Sequence, residues 1–320
     1  MFGMNTKKGF VAAFKDFWFR AGDFRGSSTR GQYWWIFLIN FLLGLVFVVA
    51  LIGGALSSFM AIGPNSNVNP FHLFGNVAGV TFILLLFWFL YQGLPSLSLV
   101  IRRYRDAGVT PWVLLLTELA PGIILAIAGR NTTGQVIAGL LRLADLVITL
   151  LPTRHPVPAW TTRPNEDSRT VSMVEAIPDF FRRGGVFSGR SSRSQYWWIT
   201  LWGVIIGIAI TVISVPFTVI SVVSSLNSAS GVPDLTGFFM YLGVLLGLTS
   251  LIYLPNLTLT VRRFRDAGVN PWWYGVLFIM QLGASAFIAG SKQFNWGFII
   301  VGILSIVLLV ITVLPTKQSA

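Results

Sequence analysis

Long apolar blocks separated by short polar segments constrain this chain more than any other feature of its sequence. A helix needs about 20 predominantly apolar residues to cross a bilayer. Hydrophobic residues make up 54% of the chain and charged residues only 11%, whereas a soluble protein carries roughly 25% charged residues. We therefore predict an all-α, polytopic membrane protein with about eight transmembrane helices. They cover Tyr33–Leu56, Val77–Ile101, Trp112–Ala128, Val136–Leu151, Tyr196–Val219, Phe238–Val261, Trp272–Ile288 and Phe294–Leu314. The third and seventh blocks are short, so a bent hairpin is an alternative there.

The sequence also repeats itself. DFWFRAGDFRGSSTRGQYWWI (16–36) matches DFFRRGGVFSGRSSRSQYWWI (179–199), and LPSLSLVIRRYRDAGVTPW (94–112) matches LPNLTLTVRRFRDAGVNPW (254–272). Each half holds four apolar blocks, and four crossings return the chain to its starting side. The halves should therefore share one orientation, as a parallel repeat. The predicted units are a first four-helix membrane repeat (1–153), a cytoplasmic linker (154–171) and a second four-helix membrane repeat (172–320).

Each half opens with a short segment whose apolar residues follow helical spacing, at 10–18 and at 173–181. A stripe of this kind predicts an amphipathic helix. Ser172 and Glu175 form a plausible capping box before the second segment, although Pro178 interrupts its pattern. Two placements stay open for these lead-in helices. They lie in the membrane surface, or they pack on the cytoplasmic face of the protein itself.

Basic residues are segregated to one side of the predicted topology. All but three of the 23 lysines and arginines fall on the side of both termini, and the exceptions are Arg130, Lys292 and Arg142. Because cytoplasmic loops are enriched in Lys and Arg, both termini are predicted to be cytoplasmic. The net charge of +12 therefore does not indicate nucleic-acid binding. It predicts attraction to anionic lipid, at about 1 kcal/mol per basic residue near the surface.

The motif richest in arginine, RRYRDAGVTPW (102–112), recurs as RRFRDAGVNPWW (262–273). We call these two segments the basic motifs. Asp106 and Asp266 follow the paired arginines at the spacing of helical ion-pair partners. One interpretation is a topology anchor closed by a salt-bridged turn. The other is an anion site or lipid site, whose candidate residues are Arg30, Arg102, Arg103, Arg105, Arg190, Arg193, Arg262, Arg263 and Arg265. The predicted interfacial anchors are Trp34, Trp35, Trp112, Trp197, Trp198 and Trp272.

The combination FSGRSSRSQYWW, followed after about 70 residues by RRFRDAG and a tryptophan, resembles the bacterial membrane family called domain of unknown function 805. Both halves match, so the resemblance covers most of the chain as a tandem pair. The first half departs from the family motif at Ser27, where the second half has Arg190. The resemblance implies a helical, multi-pass protein of the bacterial inner membrane and no assigned activity.

Catalytic chemistry finds little support in the composition. The chain has no cysteine and only two histidines, His72 and His155, neither of which has metal ligands at a suitable spacing. No phosphate-binding loop, dinucleotide fingerprint or nucleophile elbow is present. We therefore predict a protein that is not an enzyme and that needs no metal or cofactor.

Three charged residues fall within predicted spans. Glu118, Arg142 and Asp145 lie at similar depths in the third and fourth spans, where an unpaired charge costs on the order of 2.5–3.5 kcal/mol. We predict an intramembrane polar cluster that faces the protein interior. It serves as a structural clamp, as part of a proton or solute relay, or as side chains that reach the interface. The second half has no counterpart to this cluster.

Two functions remain open on this basis. The first is a non-catalytic membrane module whose basic cytoplasmic face binds anionic lipid or a protein partner. The second is a small-solute or proton-coupled transporter with a path between the repeats that uses the Glu118 cluster. The pairs Gly203/Gly207 and Gly243/Gly247 suit close helix packing, within the chain or between chains, so a homo-oligomer also stays open.

Overall fold

The computed structural model describes residues 9–61, 77–128, 131–154, 168–226, 236–289 and 296–316. The secondary structure of these residues is helical throughout. The helices of the first half are α1 (Phe10–Phe19), α2 (Arg30–Ala61), α3 (Val77–Asp106), α4 (Ala120–Ala128) and α5 (Thr132–Leu150). Those of the second half are α6 (Met173–Arg182), α7 (Arg193–Leu226), α8 (Thr236–Asp266), α9 (Trp272–Ala289) and α10 (Trp296–Val313).

Five segments of the described residues are long and apolar enough to cross a membrane: Arg30–Gly54, Thr81–Asp106, Thr132–Leu150, Arg193–Val212 and Trp296–Val313. Large apolar side chains on their outer faces are exposed, as at Val46, Ile208 and Ile306. Contiguous apolar surface of this extent indicates contact with lipid. The chain is therefore a helical, multi-pass membrane protein, while eight crossings remain a prediction.

The third predicted span is not a regular helix. A π-helical turn at Leu115–Leu119 precedes α4. Pro121 explains this irregularity, because proline has no backbone N–H to donate to the preceding turn and its ring crowds the carbonyl four residues earlier. Glu118 lies within this π-helical turn.

The lead-in helices form as predicted at α1 and α6. A capping box between Ser172 and Glu175 begins α6, and Pro178 is accommodated within it. In α1, the Phe17 side chain is buried against Ile36 of α2 and Leu99 of α3. This packing supports the second of the two predicted placements, a helix packed on the protein itself.

The two halves meet through equivalent residues. Leu94 of α3 and Leu254 of α8, which occupy matching positions in the repeat, are both buried in one cluster with Ala21. Beside them, the rings of Tyr91 and Tyr253 contact edge to face, with centroids 5.6 Å apart. α3 and α8 therefore form the central contact between the halves.

Two equivalent glycines, Gly22 and Gly185, let the lead-in segments of the halves touch. A Cβ added at Gly22 would overlap the carbonyl oxygen of Phe181, and a Cβ added at Gly185 would overlap that of Trp18. Since Trp18 and Phe181 are themselves equivalent, the contacts are reciprocal. Reciprocal contacts of this kind indicate an approximate two-fold relation between the halves.

Candidate functional site in the basic layer

Four arginines of the two basic motifs are fully buried. Arg102, Arg103, Arg262 and Arg263 have no exposed surface, although arginine is almost never fully buried without partners. Their guanidinium groups bind carboxylates and backbone carbonyls of the protein, so these side chains hold the fold together. These four predicted anion-binding residues are thus not exposed in the described structure, and anion binding by them stays a prediction.

Arg103 joins three segments of the first half. It donates to the Asp106 carboxylate, to the Thr149 carbonyl at 3.0 Å and to the Leu151 carbonyl. Carbonyls at the end of a helix lack partners within the helix and favour a nearby cation. Arg103 therefore caps the C-terminus of α5 while it pairs with its own helix.

The second half repeats this arrangement. Arg263 donates to the Asp266 carboxylate, to the Thr312 carbonyl at 3.0 Å and to the Leu314 carbonyl, so it caps α10. Asp266 also accepts a hydrogen bond from the Thr316 hydroxyl at 2.9 Å. Each basic motif thus binds the LPT sequence that follows the last helix of its half.

The residues that follow the arginines in the basic motif end its helix. The N–H of Val109 donates to the Tyr104 carbonyl at 2.9 Å, and the N–H of Gly108 donates to the Arg105 carbonyl at 3.0 Å. Gly108 has a φ of +79°, so this is a Schellman motif with glycine at the left-handed position. The same bonds recur at Gly268. The sequence Arg-Asp-Ala-Gly is therefore a helix stop.

Arg102 and Arg262 tie the lead-in helices to the bundle. Arg102 donates to the Arg20 carbonyl at 2.7 Å, and Arg262 donates to the Arg183 carbonyl at 2.9 Å. Both carbonyls belong to the residue that caps the C-terminus of a lead-in helix. The first two arginines of each basic motif therefore bind different segments. The first binds the end of a lead-in helix, and the second binds the end of the last helix of its half.

A second ionic cluster, around Arg20, was not predicted from the sequence. Its guanidinium contacts Asp16 at 3.2 Å and Asp23 at 2.7 Å, and it donates to the Ser27 carbonyl. Burial raises the pKa of Asp23, but Arg20 and the N–H of Gly26 outweigh this effect and hold the pKa below its ordinary value. The signal for this cluster was the aspartate and arginine that recur four residues apart in both halves.

In the second half Arg183 takes the place of Arg20. It contacts Asp179 at 3.5 Å and donates to the Arg190 carbonyl at 2.8 Å. The position that differs between the halves, Ser27 or Arg190, thus contributes its backbone carbonyl in both. A serine and an arginine can therefore occupy it without a change in this contact.

The repeated QYWW motif combines a helix cap with an anchor. Gln32 accepts from the Thr29 N–H at 2.9 Å while the Gln32 N–H donates to the Thr29 hydroxyl at 3.3 Å, which is a capping box at the start of α2. Ser192 and Gln195 do the same for α7.

Among the six predicted anchors, Trp112 and Trp272 are 79% and 82% exposed. Three others donate to backbone carbonyls of the protein, namely Trp34, Trp197 and Trp198, and Trp35 is exposed.

The remaining predicted anion-binding residues lie at the surface. Arg30, Arg190 and Arg193 are exposed, as is Arg25, which the prediction omitted. Arg105 and Arg265 are half-buried, and Arg265 donates to the Phe187 carbonyl. The basic layer thus consists of a buried structural set and an outer set that solvent or lipid can reach.

The residues of the predicted intramembrane cluster are only partly brought together. Asp145 accepts a hydrogen bond from the buried Tyr104 hydroxyl at 2.6 Å, and that hydroxyl also lies 2.7 Å from the Thr117 hydroxyl. Glu118 and Arg142 are exposed on their helices instead of facing the interior, and Glu118 interacts electrostatically with both Asp145 and Arg142. Phe264, Leu277 and Leu308 stand at the positions equivalent to Tyr104, Thr117 and Asp145, so this network belongs to the first half.

Replacing Tyr104 with phenylalanine should lower the free energy of unfolding by about 1.5 kcal/mol, because a hydrogen bond to a charged group is worth roughly this much. The double variant Y104F/D145L recreates the pair found in the second half, Phe264 and Leu308, and should recover part of the loss. Reversible unfolding in mixed micelles measures both. A Y104F variant as stable as the wild type would show that the Tyr104–Asp145 bond does not stabilise the fold.

Two of the clefts between described residues differ in their lining. One, of about 390 Å³, is lined mainly by phenylalanine and leucine of α2, α3 and α8, with Asn40, Trp88 and Gln92 as its polar members. The other, of about 550 Å³, lies in the basic layer of the second half, between Arg190 and Arg265. Neither is lined by Glu118. Within the described residues, no group of three or more His, Cys, Asp or Glu side chains is placed to hold a metal ion.

The fold and the basic layer define a class of protein: a helical, multi-pass membrane module built from two equivalent halves, each closed by the same buried Arg–Asp pair. The chain belongs to the family described as protein of unknown function (DUF805), whose pattern matches residues 21–153 and again residues 185–320. The two matches confirm the tandem organisation. No curated protein and no solved structure is significantly similar to the chain.

Proposed function

We propose that this protein is a non-catalytic module of the bacterial inner membrane whose cytoplasmic basic face binds anionic lipid headgroups. In this proposal the chain crosses the membrane eight times as two parallel four-helix repeats, and both termini are cytoplasmic. The alternative ligand for the same face is a protein partner with an acidic surface.

The observation that carries the proposal is the division of the basic layer. The arginines that hold the fold are buried and bound to carbonyls and carboxylates. The outer arginines, Arg25, Arg30 and Arg193, contribute exposed charge to the same layer. Exposed cations at this level attract anionic lipid, and the exposed Trp112 and Trp272 suit the headgroup region of a bilayer.

The transporter alternative is the weaker one. A transport path that uses Glu118 needs an accessible cavity that leads to this carboxylate, and Glu118 lines neither of the two clefts beside Trp88 and Arg265. The hydrogen bond between Tyr104 and Asp145 supports the structural clamp among the roles predicted for the polar cluster.

Replacing Arg25, Arg30 and Arg193 together with glutamine should reduce the anionic lipid that accompanies the protein. Each exposed arginine near the surface contributes about 1 kcal/mol of attraction to anionic lipid, so the triple variant should carry less anionic lipid than the wild type. Extraction in native lipid particles, followed by quantification of anionic and zwitterionic phospholipids, measures this ratio.

A matched control replaces the basic residues predicted on the opposite side, in the variant R130Q/K292Q, which should retain the wild-type lipid ratio. Wild-type enrichment in the triple variant would contradict the lipid proposal. If the lipid ratio were unchanged but a co-purified protein were lost, the ligand of this face would be that protein instead.

A further inference from the structure

The cleft in the basic layer of the second half has the composition of an oxyanion site. It is a shallow, open cleft of about 550 Å³, and its lining residues are Gly189, Arg190, Arg265, Gly268, Val269 and Asn270. Two of these six carry a positive charge and none carries a negative charge. Arginine suits phosphate because its planar fork of N–H groups matches two phosphate oxygens at once.

Arg265 is held in position for such a contact. One of its terminal nitrogens donates to the Phe187 carbonyl, which belongs to the same loop as Arg190. A guanidinium carries five N–H donors, so this bond orients the side chain and leaves donors for a ligand. The side-chain oxygen Oδ1 of Asn270 accepts from the Trp272 N–H at 3.1 Å, which holds the Asn270 side chain at the start of α9.

The loop that carries Arg190 differs from its counterpart for a physical reason. In the first half, Asp23 accepts the N–H groups of Arg25 at 3.1 Å and of Gly26 at 2.9 Å, which draws that loop inward. Val186 stands at the equivalent position, and its side chain cannot accept a hydrogen bond. The loop of the second half instead turns at Gly189, with a φ of +77°, and Arg190 is exposed.

The equivalent place in the first half has a different lining. Ser27, which is buried, takes the position of Arg190. The Cδ atom of Arg154 lies 3.7 Å from where a Cβ on Gly108 would be, so this side chain lies beside the turn. The first half therefore offers a matched internal control.

We infer that the cleft between Arg190 and Arg265 binds one phosphate oxyanion, as the phosphate of a phospholipid headgroup or as free phosphate. Its neighbour Trp272 is 82% exposed, which suits the headgroup level of a bilayer. This inference rests on the proposed function, which it narrows from a basic face to one site.

The test titrates phosphatidylglycerol into the full-length, delipidated protein in non-ionic detergent and counts bound lipids by native mass spectrometry. Replacing Arg190 with serine, the residue of the first half, should weaken the first bound lipid about tenfold, because a hydrogen bond to a charged group contributes roughly that factor. R265Q should weaken it similarly, and R105Q, its counterpart in the first half, should leave it unchanged.

The inference is overturned if R190S binds the first lipid like the wild type, or if R105Q weakens binding as much as R265Q does. R190S keeps the backbone carbonyl that Arg183 needs, and an unchanged unfolding temperature confirms that the variant folds. Inorganic phosphate at millimolar concentration is added in a second arm. Displacement of the first lipid identifies free phosphate as a ligand of the site, and retention of the lipid identifies the headgroup.

Failure of this site and failure of the proposed function give different results. If anionic lipid is enriched around the wild-type protein but R190S has no effect, only the site is wrong. If R190S weakens the first lipid but the wild type shows no enrichment in native particles, the site stands and the broader basic face does not bind lipid.

Discussion

Replacing Arg263 with methionine is expected to lower the free energy of unfolding by about 3–5 kcal/mol, the usual cost of removing one partner of a buried ion pair. The Arg263 and Asp266 side chains have no exposed surface, so the variant leaves the Asp266 carboxylate buried without its cation. The Leu314 carbonyl also loses this donor, and the Thr312 carbonyl keeps the bond from the Trp197 indole N–H. Titration of the protein in mixed micelles with a denaturing detergent, followed by tryptophan fluorescence, measures the loss.

The double variant R263M/D266N separates the charge from the packing. It removes the unpaired carboxylate, so it should cost less than R263M alone. R265M changes the next arginine of the same basic motif, which is only half-buried. This variant should lower the free energy of unfolding by under about 1 kcal/mol, as a substitution near the surface does. A loss in R263M no larger than that in R265M would contradict a structural role for the buried pair.

Replacing Gly22 or Gly185 with valine is expected to disrupt the contact between the halves. Even the Cβ of the new side chain would overlap a carbonyl oxygen of the other half, at Phe181 or at Trp18. Backbone cannot yield like the end of a side chain, and overpacking a well-packed contact costs about 1–3 kcal/mol, occasionally more. Because the two contacts are reciprocal, both variants should lose stability to a similar extent in the same unfolding measurement.

Gly44 of α2 provides the control, since a Cβ added there meets nothing within 4 Å. Gly44→Ala should be neutral or stabilising, because alanine favours a helix over glycine by about 1 kcal/mol. A Gly22→Val variant as stable as Gly44→Ala would show that the lead-in segments do not touch as described.

The glycine pairs of the second half differ from Gly22 and Gly185. A Cβ added at Gly203, Gly207, Gly243 or Gly247 meets nothing within 4 Å. The described structure therefore gives no support to their predicted use in close packing within the chain. Packing between chains remains a prediction. A spacing of four residues shows which glycines share a helix face, but it does not show what covers that face.

The repeat, the helical membrane architecture and the lead-in helices follow from the sequence alone, because each is a local or periodic property. Apolar length measures whether a helix can cross a bilayer, and the spacing from Ser172 to Glu175 is a capping signal read within one turn. The match between the halves likewise requires no knowledge of contacts. The family pattern, which covers both halves, agrees with this local information.

The roles of the arginines were decided only by the tertiary structure. Arg102, Arg103 and Arg105 are adjacent in sequence and identical in chemistry, yet the first two are buried and the third is half-buried. Consecutive residues on a helix point about 100° apart, so their partners come from different segments: the end of α1 for Arg102 and the end of α5 for Arg103. Charge and spacing could identify a basic layer, but only the packing of distant helices determines which of its cations a ligand can reach.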